Sequence, residues 1–592
     1  MKRDLLRVNM SDLSITREPL PEGWHRYGGR ALTDAIVFSE VPPTTDPLGP
    51  ENVLVFAPGL LGGTPAPDGG RISVGAKSPL TGGIKESNSG GQAGHALARN
   101  GIAAVIVSGK PADPDARYCL VIENDASAKL ERVDEWAGLL NYDLAEKIAA
   151  TRPEGDRYST IQIGPAGEVG AKAAGIAISD PKNYPNRFAG RGGLGAVMGS
   201  KGLKAIVVSD KGLPFKEHAD KEAFQAAMKR FASALKEHAV TGQALPTYGT
   251  NVLTNILSEA GGLPTRNFSE GSFEMADAIG GESQRDVILE RGGHEHHACH
   301  TGCTIQCSRY WMDKDGHYKT KGPEYETVWS MGADCGIGDL DEIAELDRAC
   351  GELGLDTIEM GATLAVYMDS GKIEFGDAKG ALAALMSGAE GGEPGRVIWD
   401  GALATGKAFG VERIPVVKSQ ALPAYDPRSV MGIGVTYATS PQGADHTAGY
   451  TITANILSVG GTVDPLKPEG QAELSKNLQI ATAMLDSLGF CIFVAFAVLD
   501  IPDAFTAIHD MAEAHTGDPW DPDALMQLGK ETLVFERLFN EKAGFTKADD
   551  RLPAFFHTQK LPPHDIVFQV TDEDLDSVFD FVPETAKEMG LA

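Results

Sequence analysis

Cysteine is scarce in this chain of 592 residues. There are seven, an odd number, and four of them (Cys119, Cys335, Cys350 and Cys491) stand alone. That excludes the disulfide framework of a small secreted protein. Long apolar runs are missing as well: the longest, CIFVAFAVL at 491–499, falls far short of the roughly 20 residues that cross a bilayer. The opening MKRDLLRVNMSDLSITREPL has no apolar core of the kind that marks a signal peptide. Basic charge is also short, since 53 Lys and Arg against 82 Asp and Glu leave a net charge of −29. Such a balance argues against a nucleic-acid partner, whose phosphates need clustered Lys and Arg, and against an anionic membrane surface. The expectation is a cytoplasmic protein with no membrane span, its thiols reduced and free to bind metal.

What is present is ordinary globular composition, 42% hydrophobic and 23% charged, which rules out disorder. The length is too great for one core and predicts several domains. Six β-branched runs occupy 51–58, 71–77, 102–109, 117–124, 159–164 and 204–210, with one clear helix between them at 142–150. This reads as a mostly β domain ending near residue 210, not a βαβ array. Helical periodicity dominates afterwards, at 221–239, 339–353, 470–488 and 528–543. The stretch 407–444 reads as a long loop, and long structured loops tend to be functional. The fold class is therefore α+β, divided as 1–210 (β-rich), 211–420 (helical) and 421–592 (helical).

Three cysteines crowd into CHTGCTIQC at 299–307, at i, i+4 and i+8. Four thiolates hold a [4Fe–4S] cluster or a zinc ion. Zinc sites usually show two CxxC-like knuckles, and no second pair exists here. A radical-SAM loop places its third cysteine one residue nearer the first. Three local cysteines plus a distant fourth favour an iron–sulfur cluster, with Cys119, Cys335, Cys350 or Cys491 as the fourth ligand. The bland readings are buried small residues, or zinc helped by the histidines of HEHHACH (294–300), which otherwise read as loop or surface residues.

PNRFAGRGGLGAVMGSKGLKAIVVSD (185–210) contains a literal GxGxxG at Gly190, Gly192 and Gly195. A dinucleotide fingerprint must follow a strand and open a helix, and DPKNYPNRFA, rich in Pro and Asn, admits no strand. Open backbone beside Arg187, Arg191, Lys201 and Lys204 still suits a polyanion. GGRISVGAKSPLTGGIKESNSGG (69–91), with Arg71, Lys77, Lys85 and Asn88, is a second such stretch. Two of them in one β domain of an acidic chain suggest a large anionic cofactor. Finally, GELGLD (351–356) and DSLGFC (486–491) echo each other, each ending a predicted helix. A glycine C-cap is the routine explanation.

These motifs together resemble the aldehyde:ferredoxin oxidoreductase family. The likeness runs nearly end to end, through LRVNMSD (6–12), RISVGAKSPLTG (71–82), GPAGE (164–168), AGRGGLGAVMGSKGLKAI (189–206), GLPTRNF (262–268), the cysteine run, GPEYET (322–327), GADHT (443–447) and DDRLPAFF (549–556). The resemblance implies a tungsten (or molybdenum) bis-pterin, one [4Fe–4S] cluster and Mg2+ bridging the pterin phosphates. It implies a β base domain cradling the dicofactor and two helical domains around the site. The family's cluster draws three cysteines from one run and a fourth from a later DxxGLC segment, which maps onto Cys299, Cys303, Cys307 and Cys491. The CHTGC spacing is that of the bacterial branch, and Cys119, Cys335 and Cys350 are left as core thiols.

The paired DxxGL segments each hold one pterin in the family, so Leu355, Asp356, Asp486 and Phe490 carry over, with Asp445 as a cofactor contact. Gly351 departs from the pattern by standing where the family has an acid or amide, with Glu352 adjacent. Arg71, Asn88 and Gly90 match pterin-binding positions, as do Arg187, Gly190, Arg191 and Gly192. The implied reaction converts an aldehyde and water to a carboxylic acid. Glu326, rather than Glu324, is expected to take a proton, and His446 to hydrogen-bond the carbonyl oxygen. Implied partners are a small aldehyde, a ferredoxin or a dedicated iron–sulfur subunit, and an oligomer or heteromeric complex. Two other readings stand beside this one: a family relative reducing an aryl thioester, and a zinc-bound scaffold without redox chemistry.

Overall fold

Twelve strands build the first third of the protein in the computed structural model, which describes residues 3–591. They form two mixed six-stranded sheets. In the first sheet the order is β2 (Ser14–Pro19), β1 (Asp4–Asn9), β6 (Ile102–Ser108), β3 (Leu54–Pro58), β4 (Ile72–Lys77) and β5 (Ile84–Ser89). The second runs β11 (Arg187–Ala189), β10 (Ile176–Ile178), β9 (Tyr158–Gln162), β12 (Leu203–Ser209), β7 (Tyr118–Ile122) and β8 (Ala128–Arg132). Each sheet has one parallel pair, β1 with β6 and β7 with β12. Period-2 alternation explains the layering. In β6, Ile102, Val105 and Val107 pack with Leu120, Ile161 and Ile206 of the other sheet, while Ala104 and Ile106 face Leu32 and Ile36 of the helix Gly29–Glu40. Both faces are covered, so central strands read as continuous apolar runs.

All six strand runs read from the sequence are strands, and the helix at 142–150 is Asn141–Thr151. The other six strands escaped because they are short or polar, as in β5 (IKESNS) and β8 (AKLER). One local expectation is overturned. A strand, β11, does enter the GxGxxG segment, and a helix, Leu194–Ser200, does leave it. The Rossmann reading still fails, on topology: through β10 and β9, each step antiparallel, β11 runs opposite to β12, so no parallel βαβ unit forms.

Helices dominate after Ser209. Lys221–Glu237, Leu340–Leu353, Thr357–Asp369 and Pro522–Ala543 are N-capped by the carboxylates of Asp220, Asp339, Asp356 and Asp521, which accept from first-turn N–H groups. A small sheet of β13 (His294–His297), β14 (Ser308–Met312) and β15 (Tyr318–Lys321) carries the cysteine run between its first two strands. The 407–444 stretch is not one loop: it holds a two-residue ladder, Val416–Val417 with Gln420–Ala421, and a fully buried helix, Met431–Thr439. Among the described residues no helix is long and apolar enough to cross a membrane.

The two echoing segments dock alike. The Gly489 segment lies on the first sheet: Leu60 and Leu61 donate N–H to the carbonyls of Ser487 and Leu488, and Arg71 N–H donates to Gly489. The Gly354 segment lies on the second: Gly175 donates to Gly354, and Asp356 donates to Ala173. Each crossing is glycine on glycine. A Cβ on Gly489 would meet the Gly59 Cα at 2.8 Å, and one on Gly354 would meet the Gly164 nitrogen at 2.8 Å, with both residues at positive φ. No side chain fits such an approach.

Candidate functional site

Where the two sheets meet the docked helix ends, they enclose a cavity of about 370 Å³. Arg71, Asn88, Gly90, Arg187 and Arg191 line it from the β domain; Cys299, Cys307, Glu326, Asp356, Asp445, His446, Asp486 and Cys491 line it from the helical part.

One wall gathers thiols. Cys299, Cys303 and Cys307 lie in the loop after β13, and Cys491 follows Gly489. Asp68 ties the two together: its carbonyl accepts from Cys491 N–H at 2.9 Å, and its carboxylate accepts from the Thr304 hydroxyl at 2.6 Å. Burial pushes the Cys491 thiol up to about 12 despite nearby Arg71, and Cys307 is raised well above the ordinary thiol range for the same reason. Cys303 is also raised, by its contact with Cys299 and by burial, whereas Cys299 is held low by Cys303 and His300. Four thiols packed this way cannot all ionise alone, and a bound metal cluster is the charge that would let them. Space for one is kept at Gly90, where a Cβ would stand 3.1 Å from Cys299 Sγ. Cys119, Cys335 and Cys350 are buried apart from this group, in β7 and the helical core.

Beside the thiols the lining is cationic. Arg71 donates from Nε to the Asn88 amide oxygen. Arg187 is buried, yet its Nε and Nη2 have no partner, and its Nη1 reaches Glu324 only at 3.8 Å. Arg191 donates to the carbonyls of Ala444 (2.7 Å) and Ala421 (2.6 Å) and pairs with Asp356 at 3.3 Å. Buried guanidinium donors without acceptors fit a bound anion, and the thiol set fits a cluster.

The same cavity holds two groups that burial shifts toward their neutral forms, Glu326 and His446. Glu326, in the helix Tyr325–Met331, accepts from Ala424 N–H through Oε2 at 3.2 Å, while its Oε1 is unpartnered. Burial raises its carboxyl to about 8, against the pull of Arg191. His446 Nε2 stands 3.4 Å from Glu326 Oε1, outside hydrogen-bonding geometry, and burial lowers the imidazole to about 4. Burial would also raise its neighbour Asp445, but Lys85 and Arg191 more than offset that, and Asp445 stays ionised. Glu324 is spoken for: Thr250 donates to it at 2.8 Å and Ser308 at 3.3 Å.

Most residues singled out in the sequence converge here. Gly190, Leu355 and Asp486 line the cavity, the last paired with Arg30 at 3.3 Å. Gly192 sits just outside it, its carbonyl accepting from Ser78. The Phe490 ring packs on Phe231 in the core and is not part of the lining. Two of the histidines read as loop or surface residues are buried: His297 contacts Asp180 at 3.2 Å, and His300, in the loop, lies 3.1 Å from Cys299 Sγ. Glu352 does not replace the acid missing at Gly351. It turns away to Arg348 and the Tyr142 N–H. The carboxylate that reaches the cavity on that side is Asp347, four residues earlier on the same helix face, holding Thr320 and Lys321. Helical spacing from Gly351 could have found it. Arg30 and the hydroxyl pair Tyr425–Tyr450 (2.8 Å) were also missed, because nothing local marks them.

The chain matches known proteins over nearly its whole length. The model described as "Aldehyde ferredoxin oxidoreductase, N-terminal domain" matches residues 5–210, and that described as "Aldehyde ferredoxin oxidoreductase, domains 2 & 3" matches 226–581. The tungsten-containing aldehyde ferredoxin oxidoreductase of Pyrococcus horikoshii is 37% identical over 582 residues, covering 94% of this chain and 92% of that protein. The protein of the same name from Pyrococcus furiosus is 37% identical over 584 residues, covering 94% and 91%. A solved structure described as the active site complex BamBC of Benzoyl Coenzyme A reductase in complex with 1,5 Dienoyl-CoA aligns with a TM-score of 0.78. It covers 100% of this chain and 98% of that chain at 19% identity, a likeness of fold alone.

Proposed function

The chain belongs to the aldehyde ferredoxin oxidoreductase family, and on that premise we propose that it oxidises aldehydes to carboxylic acids, RCHO + H2O → RCOOH + 2H+ + 2e−. The observation that supports this best is a single cavity lined by Cys299, Cys307 and Cys491, with Cys303 in contact with Cys299, and by the buried Glu326 and His446. Cys299, Cys303, Cys307 and Cys491 would hold a [4Fe–4S] cluster. Arg71, Asn88, Arg187, Arg191, Asp356 and Asp486 would hold a tungsten (or molybdenum) bis-pterin together with Mg2+. When bound, the metal centre supplies a two-electron acceptor and the cluster a one-electron exit.

The chain's own residues handle protons and orientation. Glu326, raised to about 8, takes a proton from water or an aldehyde hydrate in its ionised form, which dominates above about pH 8. His446 stays neutral, so its ring N–H can hydrogen-bond the carbonyl oxygen without setting a second full charge beside Arg191. Asp445 keeps Lys85 and the His446 loop in place through Thr447. Electrons then leave to a ferredoxin-like carrier or a dedicated iron–sulfur subunit, which must dock by a local patch on a chain of net charge −29.

Elemental analysis of anaerobically purified protein, followed by aldehyde-dependent reduction of a viologen dye, tests the reading. The expected result is tungsten or molybdenum, about four iron per chain and turnover. Zinc alone would reduce the site to a structural one, and turnover of aryl thioesters but not aldehydes would assign the other chemistry.

A further inference from the structure

A second cavity, of about 360 Å³, lies among the C-terminal helices, and Tyr450, Ile492 and Phe493 line both it and the catalytic cavity. Its other walls are the apolar faces of Gln471–Leu488 and Val494–Asp500, with Phe505 and Met526 from the two helices that follow. Among the described residues that line it, none is Asp, Glu, Lys or Arg. The outer rim is open to solvent at Asn477, Pro502 and Leu499, the last 36% exposed. From the inside, an aromatic series leads to it. The His446 ring is 6.1 Å from Tyr450, Tyr450 is 6.2 Å from Phe496, and Phe496 stacks on Phe493 at 6.1 Å.

An apolar chamber exposed to water at one end is costly unless something apolar enters it. Because three side chains are shared with the cavity holding Glu326 and His446, the occupant whose reactive end must lie beyond them is the substrate itself. We propose that this chamber is a vestibule for the hydrocarbon part of the aldehyde, and that the protein's preferred substrates carry a long alkyl or aromatic tail. This rests on the aldehyde reading above and names its substrate class. The polar aldehyde group passes Tyr450 into the catalytic cavity while the tail stays among Leu485, Phe496 and Phe505.

The test is kcat/KM for straight-chain aldehydes from acetaldehyde to decanal, measured on the holoenzyme and on two variants that fill the vestibule from half-buried positions outside the catalytic cavity, Ala481→Phe and Ala495→Phe. Each methylene that finds a place should raise kcat/KM about fourfold. Both variants should flatten that rise while acetaldehyde changes less than about twofold. A flat series in the wild type, or a rise that survives both variants, overturns the proposal. So does a change of oligomeric state in the variants with an unaltered series, which would make the vestibule a contact between copies. Calorimetric titration with decanoate against acetate separates the two failures. If no aldehyde is oxidised, the functional reading falls, yet decanoate binding lost in Ala481→Phe upholds the hydrocarbon site, and absence of decanoate binding removes it.

Discussion

The segment 486–491 and the segment 351–356 cross the two sheets in the same way, glycine against glycine, but they deliver different chemistry to the cavity. The first brings a carboxylate, Asp486, held by Arg30, and ends in a thiol, Cys491, facing the cysteine run. The second brings no carboxylate at Gly351 and ends in Asp356, which caps a helix and pairs with Arg191 next to Glu326. On the proposed reading, one side would supply a ligand to the cluster and the other would steady Arg191 beside Glu326. A repeated backbone device thus positions two unlike sets of side chains around one space, and the sheets beneath supply the rigidity.

The sharpest way to break this comparison is at Cys491. Replacing it with Ala should abolish the cluster, read as loss of iron and of visible absorbance, while Cys350→Ala, a buried thiol of the Leu340–Leu353 helix, should keep full iron. The reverse result would put the fourth ligand on the wrong segment. Next in size is the proton side. Glu326→Gln keeps volume and the Ala424 contact, so metal content should hold while kcat falls about 10²- to 10⁴-fold. Glu324→Gln should lower it far less, since that carboxylate serves Thr250 and Ser308. Smaller again is the pH effect. Burial holds the Glu326 carboxyl near 8, and the ionised form is the base, so kcat should rise with pH and level off above about 8. A stopped-flow profile should show that rise in the wild type and lose it in Glu326→Gln.

How much of this could be read beforehand follows from where each signal lives. The long amphipathic helices and the apolar strands carry their pattern locally, so Lys221–Glu237 and β6 were legible. The edge strand β8 and the buried polar strand β5 were not, because Lys85 and Glu86 are inside only through partners from distant segments such as Asp445. The cysteine run announced a metal site by spacing, but the choice of Cys491 over Cys350 needed the family likeness, since both follow or lie in helices ending at Leu–Gly. Phe490 is placed at the cofactor by the family motif alone, and its ring packs on Phe231 in the core. His300 looked like a surface residue in a polar run and is buried against Cys299, because the run folds back under Asp68 and His95.

The smallest effect bears most directly on the paired segments. Gly351 leaves the 351–356 segment without the acid that the 486–491 segment has in Asp486, and two carboxylates are near enough to compensate. Glu352 is committed to Arg348 across one helical turn, a pair 24% and 17% exposed, and to the Tyr142 N–H. Losing it in Glu352→Gln should cost only about 0.5 kcal/mol, a shift of a degree or two in Tm, with tungsten content unchanged. Asp347 instead faces the cavity, 3% exposed, with one oxygen on Thr320 and the other on Lys321. If it stands in for the missing acid, Asp347→Asn should keep the fold, because the amide oxygen still accepts from Thr320, and should lose tungsten and pterin faster on dialysis than Glu352→Gln does. Equal retention in the two variants would mean that the Gly354 side holds its half of the cofactor through Asp356 and Arg191 alone, and that the two segments are alike in backbone but not in load.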